Sequence, residues 1–326
     1  MGHLMRMLVL ADEAVAQGWS VIVLTHPEDR ESLKQIDHPC VNRTVDLSSE
    51  EAKQWLSDHY SVSDTAILLD LVEDDYREFR FLKEWGWTVA TLTLFDFGDE
   101  DRYEDLTIFP DYSEHEVKSV DGPYGKTLCC SGKPYLLVRN CFFELPGDKN
   151  FEGVRIIVTM GGSDPMRITE QVIRALKGVN MLDISIVLGL TNPHRPELVA
   201  MMPQEWNVLE HGKFDFASEL KKSTLAIING GVTRYECVAA RTPFAAISLH
   251  DYQYGVTENL VADGFGFNLG VYNELTDGDL RVAISAIVED SERLLQMQDS
   301  APKLITGNGT HAILNAINFL HTIEQQ

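Results

Sequence analysis

The stretch Leu225-Ala226-Ile227-Ile228-Asn229-Gly230-Gly231-Val232-Thr233-Arg234-Tyr235-Glu236 constrains this chain more than any other. Four apolar residues run into a glycine pair and then a helical pattern, which reads as a buried parallel strand, a tight turn and a helix start. The first N–H groups of a helix lack partners within it, and the dipole adds roughly half a positive charge at that end, so a phosphate is accommodated there. Thr233 adds a hydroxyl donor. Glu236, one turn on, places a carboxylate where it could accept from both hydroxyls of a ribose. A glycine pair that only lets strand and helix pack closely is the competing reading.

A second motif of the same kind lies upstream, where Ile156-Ile157-Val158-Thr159-Met160 ends in Gly161-Gly162-Ser163-Asp164-Pro165, followed by a helical pattern from Met166 to Leu176. Two glycine turns at the carboxyl ends of strands in one α/β sheet face the same crevice, which is where open parallel sheets bind ligands. Ser163 and Asp164 are also ordinary helix-cap residues, and Pro165 suits a first helical position.

The two glycine motifs, with Gly2-His3-Leu4-Met5-Arg6 at the amino terminus, resemble those of the UDP-sugar hydrolases of pseudaminic acid biosynthesis, which act on a UDP-linked diacetamido-trideoxy sugar. That family is grouped with spore-coat polysaccharide proteins and, more distantly, with the N-acetylglucosaminyltransferase of peptidoglycan synthesis. The resemblance covers most of the chain and takes in Gly132 to Arg139 and Gly307-Asn308-Gly309. It implies an α/β, GT-B-like architecture of two Rossmann-like domains, each a doubly wound parallel sheet, facing a cleft.

The resemblance also implies roles. His3 stands where the family has its general base, and an imidazole titrating near neutrality can take a proton from water as the water attacks a sugar carbon. A disordered terminal histidine is the alternative. Arg6, one turn on, orients a substrate phosphate or makes a surface ion pair. Asp70, at the end of the strand pattern Thr65 to Leu69, is a substrate contact or a cap, and Asp96 ends the next pattern from Thr88. Gly161, Gly162, Ser163, Asp164, Gly230, Gly231, Thr233, Glu236 and Gln253 are the expected substrate and nucleotide contacts. Two positions depart from the family: Val72 replaces a tyrosine two residues after the aspartate, and Tyr252 replaces an asparagine before Gln253. A tyrosine hydroxyl donates and accepts at a single oxygen and does not reproduce an amide's separate donor and acceptor groups. His250 could bind phosphate or be incidental, and Phe214 could stack on uracil or belong to the core.

With 27 basic and 50 acidic residues the net charge is −23, which disfavours nucleic acid and anionic lipid but not a nucleotide held by backbone amides. Five cysteines, Cys40, Cys129, Cys130, Cys141 and Cys237, show no paired metal-ligand spacing and fit reduced thiols in a cytoplasm. No apolar run spans a bilayer and no signal-peptide pattern opens the chain. No metal or cofactor is motivated by any ligand cluster.

A length of 326 residues suits two domains. The Pro-, Gly- and charge-rich stretch Glu144 to Lys149 sets an expected boundary near residue 150, giving residues 1–150 as the sugar or acceptor side and 151–326 as the UDP side. The helical pattern from Leu4 to Val15 reads as a first crossover helix whose preceding strand is absent, and a second copy of the chain could cover the edge so left. Residues 97–133 read as charged and irregular, with Leu106 to Phe109 as an edge strand. Later strands are expected at Val154 to Met160, Ile184 to Leu188, Leu225 to Asn229 and Phe244 to Leu249, alternating with helices. The function expected is a UDP-sugar hydrolase. A GT-B glycosyltransferase with a sugar acceptor in place of water, and a nucleotide-sugar-binding protein without catalysis, are the alternatives.

Overall fold

The structure is a computed structural model that describes residues 2–25, 38–44, 50–71, 73–93, 102–144, 153–179, 182–189, 191–210, 213–307 and 309–323. The chain divides into two compact units, residues 1–137 with 308–326, and residues 138–307. Among the described residues no helix is long and apolar enough to cross a membrane.

The first unit opens with α1 (Gly2–Ala16), followed by β1 (Val23–Thr25) and β2 (Val41–Thr44), which pair in parallel. Next come α2 (Glu50–His59), β3 (Ala66–Leu69), α3 (Arg80–Glu84), β4 (Thr88–Leu92), β5 (Leu106–Phe109), β6 (Glu116–Gly122) and β7 (Gly125–Ser131). The last five strands form one sheet in the order β3-β4-β5-β7-β6, separate from the β1–β2 pair. Leu106 to Phe109 is therefore not an edge strand. It lies between β4 and β7, with Leu106 and Ile108 fully buried. The stretch expected to be irregular also contains an antiparallel hairpin, in which Gly122 opposes Gly125 across the turn Pro123-Tyr124. Its outer strand β6 is mostly exposed, so it lacks the apolar alternation that marks a half-buried strand.

The two units differ from a linear boundary near residue 150. Val138 to Glu144 already belongs to the second unit, where Phe142 packs edge-on against Phe216 with centroids 6.0 Å apart. The last helix, Gly309–Ile323, belongs to the first. Its Ile313, Leu314 and Ile317 share a buried cluster with Leu10, Ala14, Leu92 and Leu106. Burial of an apolar stripe, rather than order in the chain, decides which core a terminal helix joins. Residues 145–149, expected as linker, lie outside the described residues.

The second unit alternates strictly: β8 (Val154–Thr159), α4 (Ile168–Leu176), β9 (Leu182–Leu188), α5 (Arg195–Met201), β10 (Asn207–Glu210), α6 (Phe216–Lys222), β11 (Leu225–Asn229), α7 (Thr233–Ala239), β12 (Phe244–Ser248), α8 (Asp251–Ala262) and β13 (Phe267–Val271). Two further helices, α9 (Asp277–Glu289) and α10 (Ser291–Ser300), follow. Every strand pairing is parallel, in the order β10-β9-β8-β11-β12-β13. Strands buried on both faces read as continuous apolar runs, which is why the first four residues of β11 are apolar and fully buried. From β8 the chain winds outward to β10, then returns and winds the other way from β11. The reversal falls between β8 and β11, and crevices at such points take ligands in open α/β sheets.

If the last helix completes the first core, Ile313→Ala should cost about 2–5 kcal/mol in urea unfolding. Hydrogen exchange should then show lost protection in β4 and β5, with β8 and β11 unchanged. The reverse pattern would contradict the assignment.

Candidate functional site

The two glycine turns follow neighbouring strands. β8 and β11 are in register with Thr159 opposite Ile228, so Met160 and Asn229 emerge side by side at their carboxyl ends. The Asn229 amide joins the turns: Nδ2 donates to the Met160 carbonyl at 3.3 Å, and Oδ1 accepts from the Gly231 N–H at 3.4 Å. Each contact fixes the orientation the other needs, since a carbonyl only accepts and an N–H only donates. Gly161 sits at φ 83°, a conformation that favours glycine. The first turn is pinned from the other side by Thr191, whose N–H and Oγ1 both donate to the Gly162 carbonyl, at 3.2 and 3.1 Å.

The helix starts beyond the two turns differ. At α4 the Asp164 carboxylate accepts from the Ile168 N–H at 2.9 Å and the Thr169 N–H at 2.8 Å. Asp164 is buried, so it serves as the cap that the sequence reading weighed against a ligand contact, and it already fills the anion position of that helix. Because Arg167 adopts a left-handed backbone, α4 begins at Ile168 rather than Met166. Ser163 beside it is exposed.

At the second turn the Gly230 N–H donates to the Ile247 carbonyl at 3.2 Å, and the Arg234 and Tyr235 N–H groups close onto Gly231 and Val232. The N–H groups of Val232 and Thr233 stand outside this ladder, as the first ones of a helix do. Gly230 is needed for packing: a Cβ there would lie 2.9 Å from Gln253 Cβ and 3.1 Å from Ser248 Oγ. Gln253 Oε1 accepts from the Leu249 N–H at 2.9 Å, which leaves Nε2 oriented as a donor. Ser248 Oγ, fully buried at the end of β12, has no hydrogen-bond partner among the described residues.

Glu236 does not stand open to a ribose alone. Arg139 Nη2 donates to its Oε1 at 3.2 Å, and the same guanidinium lies over the Phe142 ring at 4.7 Å. The Glu236 side chain is 15% exposed, and burial pushes its carboxyl above the ordinary range while Arg139 pulls it down.

In the first unit His3, Arg6 and Asp70 form one cluster. Asp70 is buried and accepts from Arg6 Nε at 2.5 Å and from Arg6 Nη2, so the pair is bidentate. His3 Nδ1 lies 2.7 Å from Asp70 Oδ1 and 3.1 Å from Arg6 Nη2. With the proton on Nδ1, His3 donates to the carboxylate oxygen at 2.7 Å and keeps its lone pair on Nε2 of a half-exposed ring, whereas the Arg6 Nη2 donor at 3.1 Å favours the opposite tautomer. Tyr76, which the sequence reading missed, braces the loop after Asp70: it accepts from the Leu71 N–H at 3.1 Å and donates to the Leu92 carbonyl at 2.8 Å. Burial holds its phenol far above the usual tyrosine range, so it remains a donor.

His250 caps α8, accepting from the Gln253 N–H through its ring. Phe214 packs edge-on against Phe216 at 6.4 Å. Asp96 and Val72 lie outside the described residues. Among the described residues no group of three or more His, Cys, Asp or Glu could hold a metal ion.

No family model matches the chain. It is 25% identical over 322 residues to the spore coat polysaccharide biosynthesis protein SpsG of Bacillus subtilis, covering 95% of this chain and 91% of that protein. Among solved structures, MurG of Acinetobacter baumannii is similar with a TM-score of 0.67 at 14% identity, over 97% of this chain and 96% of MurG. The spinosyn rhamnosyltransferase SpnG complexed with thymidine diphosphate is similar with a TM-score of 0.60 at 14% identity, over 96% and 97% of the two chains. These likenesses bear out the resemblance to the spore-coat polysaccharide group and the two-domain GT-B fold.

The Glu236 shift has a measurable consequence. The folded chain holds that proton at a pH where the unfolded chain has lost it, so this group's contribution to stability falls as pH rises from the ordinary carboxylate value to the raised one. Glu236→Gln should flatten the urea midpoint against pH above about pH 4, and Arg139→Met should steepen it. Identical profiles for parent and Glu236→Gln would contradict this.

Proposed function

We propose that the chain hydrolyses a UDP-linked amino-deoxy sugar in surface-glycan synthesis, the second unit holding the nucleotide diphosphate and the first supplying the general base. The observation that carries this reading is the Asn229 bridge, which makes one surface of two glycine turns at the point where the sheet order reverses. Around it the Gln253 Nε2 donor, the first N–H groups of α7, and the Thr233 and Ser163 hydroxyls are donors suited to a diphosphate. Donors held in place before reaction stabilise UDP as it departs, at no cost of reorganisation. Glu236, kept in place by Arg139, is the acceptor offered to ribose hydroxyls. The name of SpsG places that relative in polysaccharide synthesis, and SpnG binds thymidine diphosphate on the same fold.

In this reading His3 Nε2 takes a proton from water as the water attacks the anomeric carbon from the side opposite UDP, so the configuration inverts. This role requires the Nδ1 proton directed at Asp70, which Arg6 holds in place. Arg6 and Asp70 thus act through His3 rather than on the sugar. A transferase, in which a sugar hydroxyl replaces water, is the second reading, favoured by the rhamnosyltransferase among the similar structures.

Incubating the intact protein with a UDP-sugar and no acceptor should release UDP. His3→Ala should lower that rate about 10²- to 10⁴-fold with UDP affinity unchanged, and Asp70→Asn should follow it in rate. Release only when a saccharide acceptor is added would move the assignment to the transferase. No release in either case, with UDP still bound, would leave a binding protein.

A further inference from the structure

Arg234 is the third residue after the glycine pair, and its side chain is buried at 5% exposure. Among the described residues its guanidinium bonds only neutral groups. Nη1 donates to the Gln253 carbonyl and to Thr257 Oγ1, both at 3.2 Å, and Nη2 donates to Tyr235 Oη at 3.3 Å. The Tyr235 ring lies 5.0 Å from its centre, and Nε has no partner among the described residues. No carboxylate among those residues pairs with it, and the nearest in sequence, Glu236, is taken by Arg139. The chain has 50 acidic side chains against 27 basic, so a missing counter-ion here is not a shortage of carboxylates.

A guanidinium does not give up its proton, so its charge stays when it is buried. Charges are withdrawn from water at a cost that neutral hydrogen bonds offset only in part, and an opposite charge normally completes the arrangement. The location indicates where that charge would come from. The Arg234 N–H donates to the Gly231 carbonyl at 3.3 Å, and Gln253, whose carbonyl receives the guanidinium, presses its side chain against Gly230. Arg234 thus lies beneath the second glycine turn.

We propose that Arg234 is the built-in counter-charge for a pyrophosphate group held at the second glycine turn. It acts through the field it adds from below, as a positioning residue, without touching the ligand. This deepens the nucleotide-sugar reading and rests on it. The same bonds staple α7 to α8, and a staple requires the forked bonds but not the charge.

The test compares the intact protein with Arg234→Met and Arg234→Lys, using inorganic pyrophosphate, UDP and uridine as probes in thermal melts and calorimetry. For Arg234→Met the expected result is a ligand-free melting temperature equal to or above the parent's, UDP affinity at least about tenfold lower, and uridine affinity unchanged. Stabilisation by pyrophosphate should vanish in Arg234→Met and persist in Arg234→Lys. If UDP and pyrophosphate bind Arg234→Met as they bind the parent, the inference fails while the nucleotide reading stands. If pyrophosphate depends on Arg234 but UDP does not compete with it, the anion site stands and the nucleotide reading fails. Equal loss of UDP and uridine affinity, or ligand-free destabilisation of both variants, assigns Arg234 to the staple alone. Should Arg234→Met not fold, a folded Arg234→Lys that has lost its pyrophosphate response overturns the proposal, and one that keeps it supports the charge.

Discussion

The account depends on one side-chain amide. Asn229 ends β11 and spends its two polar ends on two different turns, the Met160 carbonyl of one and the Gly231 N–H of the other. Parallel strands in register bring those turns close, but nearness alone would not make them one surface. At 3.3 and 3.4 Å the bonds are long, and their value lies in consistency: the amide donates at one end and accepts at the other, as the two turns require. Gly161 in its left-handed conformation and Gly230 under Gln253 then shape the backbone that the amide joins.

Charge is distributed around that surface by a clear logic. At the start of α4 the chain supplies its own anion, the Asp164 carboxylate. Where a carboxylate is buried near the second turn, it receives a cation, as Glu236 receives Arg139. Arg234 breaks the pattern, being a buried cation whose partners among the described residues are all neutral. In the first unit the same accounting places Asp70 between Arg6 and His3, so one buried carboxylate holds a guanidinium and an imidazole together.

Much of this was legible in the sequence, and the reasons are physical. The apolar runs of the second unit could be placed to within two residues because strands covered on both faces tolerate little else, and β11 matches its expected span, Leu225 to Asn229. The destination of the last helix is not legible in the sequence, because an apolar stripe specifies burial and not which core supplies it. The β6–β7 hairpin was missed because its outer strand carries charges where alternation would show, although Gly122 and Gly125 bracket its turn. The sequence leaves Arg6 between phosphate contact and ion pair, Asp70 between substrate contact and cap, and Asp164 between ligand contact and cap; the Arg6–Asp70 pair and the Asp164 bonds to the start of α4 are visible only in the fold. Asn229 and Arg234 stood inside the quoted motif, yet their importance comes from what they touch, which spacing does not reveal.

The most direct test is an amide spectrum of the protein labelled with nitrogen-15 in glycine and recorded during titration with UDP and then with UMP. The account predicts that signals from both turns, Gly161 and Gly162 together with Gly230 and Gly231, move at the same UDP concentration, and move less with UMP. Shifts confined to one turn, or identical responses to the two nucleotides, would contradict a single diphosphate surface built from both.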